Sequence, residues 1–106
     1  MTTIVANALA FVACKRIKFY APYDEDAFFE WAKKISCITD IVGKRDTIVF
    51  TINRVAVGDE QLRNLIALFR RYKISLKKLE VLINDENQEL FDWCRTGFSI
   101  NVYPAQ

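Results

Sequence analysis

The sequence predicts an α+β domain, with a mainly antiparallel sheet and about three helices packed on one face. Three observations lead there. Strand-like alternation and helix-like spacing both occur, in the order β(β)-α-β-β-α-α-β. Hairpin-length connections between strand candidates outnumber βαβ units. The length of 106 residues, with 52% hydrophobic and 26% charged, supports one core and leaves little room for a second. A single domain over residues 1–106 is therefore expected, without repeats, low-complexity tracts or linkers.

The first element is the least determined. Ile4 to Cys14 is apolar except for Asn7. A secretory signal would want a basic n-region, which is missing, and a small aliphatic residue where Phe11 stands. The run is also too short to span a bilayer. Two readings stay open. Residues 1–14 form an extra strand, or they lie outside a core that begins near Lys15. From Lys15 to Ala21 the chain alternates: Ile17, Phe19 and Ala21 share one face, and Arg16, Lys18 and Tyr20 the other. That pattern predicts a half-buried strand.

Pro22 and Asp24 end the strand and open a helix. Asp24, Glu25 and Asp26 occupy its first turn, where free N–H groups and the dipole favour carboxylates. Phe28, Trp31, Ala32 and Ile35 follow at helical spacing, and Lys33 and Lys34 suit the last turn. Cys37 to Val42 and Thr47 to Asn53 read as paired strands. Gly43-Lys44-Arg45-Asp46 would be a four-residue loop with Gly43 at positive φ. In the second of these strands Ile48, Phe50 and Ile52 face the core. Gly58-Asp59-Glu60 opens a helix carrying Leu62, Leu65, Ile66, Phe69 and Tyr72. Ser75 caps another, with Leu76, Leu79, Leu82 and Ile83 as its stripe. Asn84-Asp85 starts a continuation with Leu90, Trp93 and Cys94, which Gly97 stops. Phe98, Ile100 and Val102 form a last strand before Pro104.

Little in this chain favours catalysis. There is no histidine, which removes Ser-His and Cys-His chemistry and His-ligated metals. The three glycines stand alone at 43, 58 and 97, so no phosphate-cradling loop exists. Ser36, Ser75 and Ser99 lack a neighbouring base in sequence. Cys14, Cys37 and Cys94 are odd in number and widely spaced, so they read as small buried hydrophobes in a reducing cytosol. The carboxylate groups at residues 24–26 and 85–86 fall at helix starts, where capping accounts for them. A non-enzyme without cofactor, metal, membrane or small-molecule substrate is expected.

Charge patterning says more than the net charge of +2. Arg54 to Lys78 carries a net charge of +5, and Glu80 to Asp92 carries −5 with no base. A solvated helical face is one reading of such a run; a surface for a basic partner is the other. The basic cluster at Arg70, Arg71, Tyr72, Lys73, Lys77 and Lys78 leaves a small nucleic-acid-binding module as the alternative function, though no known binding motif accompanies it.

Residues 18–87 add a family resemblance. Its carriers are Phe19-Tyr20 and Asp24-Glu25-Asp26-Ala27-Phe28-Phe29-Glu30-Trp31, then the Leu62-to-Ile74 pattern. Leu76-Lys77-Lys78-Leu79 and Leu82-Ile83-Asn84-Asp85-Glu86-Asn87 complete it. This pattern resembles small bacterial immunity proteins of toxin systems, including contact-dependent growth inhibition. The first dozen residues and the tail after Trp93 depart from it. The resemblance implies a cytoplasmic, non-catalytic inhibitor that blocks the active site of a cognate toxin, or a surface beside it. Such toxins are often nucleases with basic clefts. The expected contact residues are Asp85, Glu86, Glu89 and Asp92, with Asp24, Glu25, Asp26 and Glu30 as the second group.

Overall fold

The computed structural model describes residues 8–95. The expected Gly97 stop and the strand from Phe98 to Val102 lie outside the described residues. Strands β1 (Leu9–Lys15), β2 (Ile38–Lys44) and β3 (Thr47–Asn53) form one antiparallel sheet in the order β1-β3-β2. Helices α1 (Pro22–Lys34), α2 (Asp59–Arg71) and α3 (Gln88–Arg95) accompany it, with 3-10 segments at Arg54–Ala56 and Leu76–Leu82. The architecture is α+β, as the patterning predicts.

The core lies between one sheet face and the helices. Ala10, Val12 and Cys14 of β1 and Ile48, Phe50 and Ile52 of β3 point into it. They meet Phe28 and Ala32 of α1, Leu62, Leu65, Ile66, Leu68 and Phe69 of α2, and Phe91 and Cys94 of α3. The reading in which the core begins near Lys15 is thereby overturned, since β1 supplies three buried side chains. On the opposite sheet face Phe11 of β1 is 67% exposed, and Val42 is exposed on β2, with β3 between them.

The strand expected from Lys15 to Ala21 is not one. β1 ends at Lys15, opposite Thr47, because Arg16 turns into the left-handed region at φ 57°. Its N–H still donates across to the Asp46 carbonyl at 2.7 Å, the last bond in that register. Ile17 and Phe19 still pack against the core, so the alternation reports burial without a ladder.

The β2–β3 hairpin also differs from expectation. Lys44 pairs with Thr47, leaving a two-residue turn of Arg45 and Asp46, with Arg45 at φ 58°. Gly43 stays in β2 opposite Ile48. At the other end, Ile38 pairs with Ile52 and Asp40 with Thr51. Thr39 is the extra residue of this bulge, and its hydroxyl donates to the Thr51 carbonyl at 3.2 Å.

Helix α2 opens after Gly58, whose N–H donates to Gln61 Oε1 at 3.0 Å. It ends in a Schellman motif. The Ile74 N–H donates to the Phe69 carbonyl, the Lys73 N–H donates to the Arg70 carbonyl, and Lys73 sits at φ 60°. The helix expected from Leu76 is a 3-10 segment. Leu76, Leu79 and Leu82 recur every three residues, which matches the tighter helix and aligns them on one buried edge. Among the described residues, no helix is long and apolar enough to cross a membrane.

All three cysteines are free and buried. Desolvation pushes the Cys14 and Cys37 thiols up to about 11, with the Lys78 ammonium offsetting part of the effect at Cys14. The unfolded chain then loses these protons at lower pH than the folded one. The stability that the protonated thiols contribute is complete below the unfolded thiol range and is lost as pH rises toward about 11. The urea midpoint should fall between pH 8 and 10.5, and fall less in a Cys14→Val, Cys37→Ala variant.

Candidate functional site

Two charged surfaces stand out, and each is placed by a different piece of local structure. The first follows from a pair of aromatic side chains. Phe19, in the β1–α1 connection, packs edge-on against Tyr72, the residue that closes α2, with ring centroids 5.9 Å apart. Both rings turn inward toward Phe28, at 5.4 Å and 4.9 Å. Their sequence neighbours consequently turn outward. Lys18 and Tyr20 flank Phe19, and Arg71 and Lys73 flank Tyr72. Together with Arg16, Tyr72 and Asp24 they line one open cleft of about 440 Å³.

Four cations and one carboxylate therefore face the same space. The Asp24 carboxylate accepts the Tyr20 N–H at 3.0 Å, so it fastens the β1–α1 connection to the first turn of α1. Its carbonyl accepts the Tyr72 hydroxyl at 3.4 Å, a second tie between the two walls. Burial, with the Asp24 charge adding to it, holds the Tyr72 phenol above its usual range. Arg16 Nε lies 3.5 Å from Asp46 at the hairpin turn. Tyr20 is 80% exposed, with the Lys18 ammonium 6.0 Å from its ring centroid.

The second surface begins at the turn between the Leu76–Leu82 segment and α3. Asn87 is the buried polar residue here, and its bonds are complete. Its amide donates to the Leu82 carbonyl at 3.2 Å, and its Oδ1 accepts the Asn84 N–H at 2.8 Å. The Asn84 carboxamide in turn accepts the N–H groups of Glu86 and Asn87. This reciprocal clip holds Asp85 and Glu86 out in solvent, and Glu89 follows one turn later, also exposed. Asp92 is half-buried, accepts from Gln88 Nε2 at 3.1 Å, and shares a depression of about 250 Å³ with Glu80. Trp93 is 37% exposed, with the Arg63 guanidinium of α2 lying 5.9 Å from its ring centroid.

The expected contact residues thus divide. Asp85, Glu86, Glu89 and Asp92 belong to one stretch around the start of α3. Glu25, Asp26 and Glu30 are exposed on α1, whereas Asp24 turns away from them into the cationic cleft. Of the basic cluster read from the sequence, Arg71 and Lys73 reach the cleft, and they meet Arg16 and Lys18 there. The signal for those two was the outward face of the Arg16-Lys18-Tyr20 alternation. Nothing in the pattern joins that face to the end of α2. Among the described residues, no group of three or more Cys, Asp or Glu side chains is placed to hold a metal ion. No protein-family model, curated protein or solved structure matches the chain.

The clip makes a stability prediction. Asn87→Ala removes a buried amide and orphans the Leu82 carbonyl, so it should cost about 1–3 kcal/mol in urea denaturation. Asp85→Ser, at the exposed rim of the same turn, should change stability by less than about 0.5 kcal/mol.

Proposed function

We propose that this chain is an immunity protein that binds and neutralises a cognate bacterial toxin domain of the nuclease type, in the cytoplasm and without catalysis of its own. The observation that carries the reading is the rigid acidic edge at the start of α3. Asp85, Glu86 and Glu89 are exposed on a turn whose backbone is fixed by Asn84 and Asn87. Glu80 and Asp92 extend the same charge along the neighbouring depression. Trp93 gives the edge an aromatic side chain of the kind that anchors interfaces.

The physics suits inhibition of an enzyme that handles a polyanion. A nuclease cleft must be cationic to hold phosphates, and carboxylates held at fixed positions compete for the same potential. Because Asp85 and Glu86 are preorganised by backbone hydrogen bonds, little loop ordering has to be met on binding. Long-range attraction between such surfaces raises the association rate, while the desolvated aromatic contact governs dissociation. The family pattern noted in residues 18–87 supports the same reading.

The test first reads the neighbouring gene: a toxin reading frame immediately upstream supports the proposal and supplies the domain to be purified with this chain, and an isolated gene counts against it. A Glu86→Lys, Glu89→Lys variant should slow association at low salt by about tenfold or more, with a shallower dependence on salt. Its urea midpoint should stay near that of the parent. An unchanged rate and salt slope would show that this edge is only a solvated helix face.

A further inference from the structure

We propose that the cleft between the β1–α1 connection and the end of α2 is a nucleotide site, in which Arg16, Lys18, Arg71 and Lys73 hold phosphate and Tyr20 stacks the base. The cleft shares no residue with the acidic edge at Asp85, Glu86, Glu89 and Asp92, so the proposal stands or falls apart from the toxin reading.

Folding accounts for only part of this arrangement. Cations at a helix C-terminus are stabilising, which accounts for Arg71. Arg16 has a folding partner in Asp46, 3.5 Å away at the hairpin turn, whereas Lys18 has no helix end to favour it. They come from another part of the chain, and their charge opposes that of Arg71 and Lys73 across the cleft. The backbone adds a second argument. Arg16 and Lys73 both sit at φ near 60°, where an L side chain is strained and glycine is at ease. Lys73 occupies the Schellman position that glycine most often fills. Two strained positions on facing walls of one cleft carry cations where glycine would fold better. Strain of this kind collects at binding sites.

The shape and chemistry select the ligand. A volume of about 440 Å³ suits a small molecule or a short stretch of a polymer. Guanidinium and ammonium groups together match the oxygens of a phosphate. Tyr20, exposed beside the Lys18 ammonium, offers a flat face at the rim. A carboxylate-rich peptide would use the cations but has no use for that ring, whereas a base stacks on it. The shared chemistry is a nucleotide unit, supplied either by a free nucleotide or by single-stranded nucleic acid.

The structure also provides variants that remove charge without loss of folding. Lys73→Gly relieves strain while deleting one cation. Arg45→Gly does the same at the β2–β3 turn, φ 58°, and Arg45 does not line the cleft. Fluorescence anisotropy of the full chain with labelled AMP and with labelled ten-nucleotide RNA and DNA strands, at low salt, reads the binding. Neither glycine variant should lower the melting temperature. Lys73→Gly should weaken binding by about three- to tenfold and flatten the salt dependence, while Arg45→Gly should leave both nearly unchanged. Tyr20→Ala should weaken binding about tenfold, and Tyr20→Phe should restore it. Equal affinity for AMP and the strands would make a free nucleotide the source; binding of the strands alone would make it the polymer. Three results would overturn the proposal: no saturable binding to any of these probes, equal losses in the two glycine variants, or competition by poly-glutamate that Tyr20→Ala leaves untouched. The last would assign the cleft to an acidic protein segment.

Discussion

The Phe28 ring is fully buried and meets Phe19, Phe29, Phe50 and Tyr72 at centroid separations between 4.9 and 5.9 Å. Those partners come from the β1–α1 connection, from α1 itself, from β3 and from the end of α2. Phe50 reaches on to Phe69 at 6.0 Å, which ties the sheet to the middle of the core. Most of these contacts are edge-on, the geometry that ring quadrupoles prefer. The hub decides more than stability. Once Phe19 and Tyr72 are drawn to the same ring, the outward residues on either side of each must lie together at the surface. The position of the cleft thus follows from aromatic packing, though its charge does not, and its walls are as fixed as the core beneath them.

Among the described residues, three other than glycine have positive φ, and all three are cations: Arg16, Arg45 and Lys73. Each stands where the chain changes direction, at the end of β1, at the hairpin and at the end of α2. Their positions explain much of what the sequence concealed. Turn rules look for glycine at such places, and so they pointed to Gly43, which lies inside β2. The real left-handed residue of the hairpin, Arg45, carries no compositional mark. Likewise β1 was ambiguous because Phe11 and Ala13, on its outward face, are as apolar as Ala10, Val12 and Cys14 on its inward face. Without contrast between faces, alternation has nothing to report. Where contrast exists the boundaries were legible: β3 runs from Thr47 to Asn53 and α2 opens after Gly58, as the pattern predicts.

The candidate sites show the same division. Acidic residues around the start of α3 form a local run in sequence, so their shared surface was readable before any fold was known. The cleft was not, because its two halves meet through the Phe19–Tyr72 and Tyr72–Asp24 contacts, between segments far apart in the chain. Its outward half was visible as the Arg16-Lys18-Tyr20 face of an alternation. The misreading of that alternation as a strand hid its neighbour. Asn87 illustrates a further gap. A lone asparagine in a polar turn looks ordinary in sequence, yet here it is buried and bonds on both sides of the turn.

Both charged surfaces adjoin α2, the cleft directly and the acidic edge through α3. At one end Arg63 reaches toward Trp93 of α3, and at the other Arg71 lines the cleft. Eight residues separate Arg63 from Arg71, about 12 Å of helix rise. That exceeds the Debye length of about 8 Å at physiological salt. A net charge of +2 therefore describes neither face. At physiological ionic strength each face presents its own potential, and a cationic partner at α3 need not compete with an anion at the cleft. In dilute salt the screening length grows beyond the spacing, and the two faces begin to feel one another. Segregating charge on two sides of the fold is thus how a nearly neutral chain keeps two electrostatically distinct surfaces, the cleft held by the buried rings and the acidic edge by the Asn84–Asn87 clip.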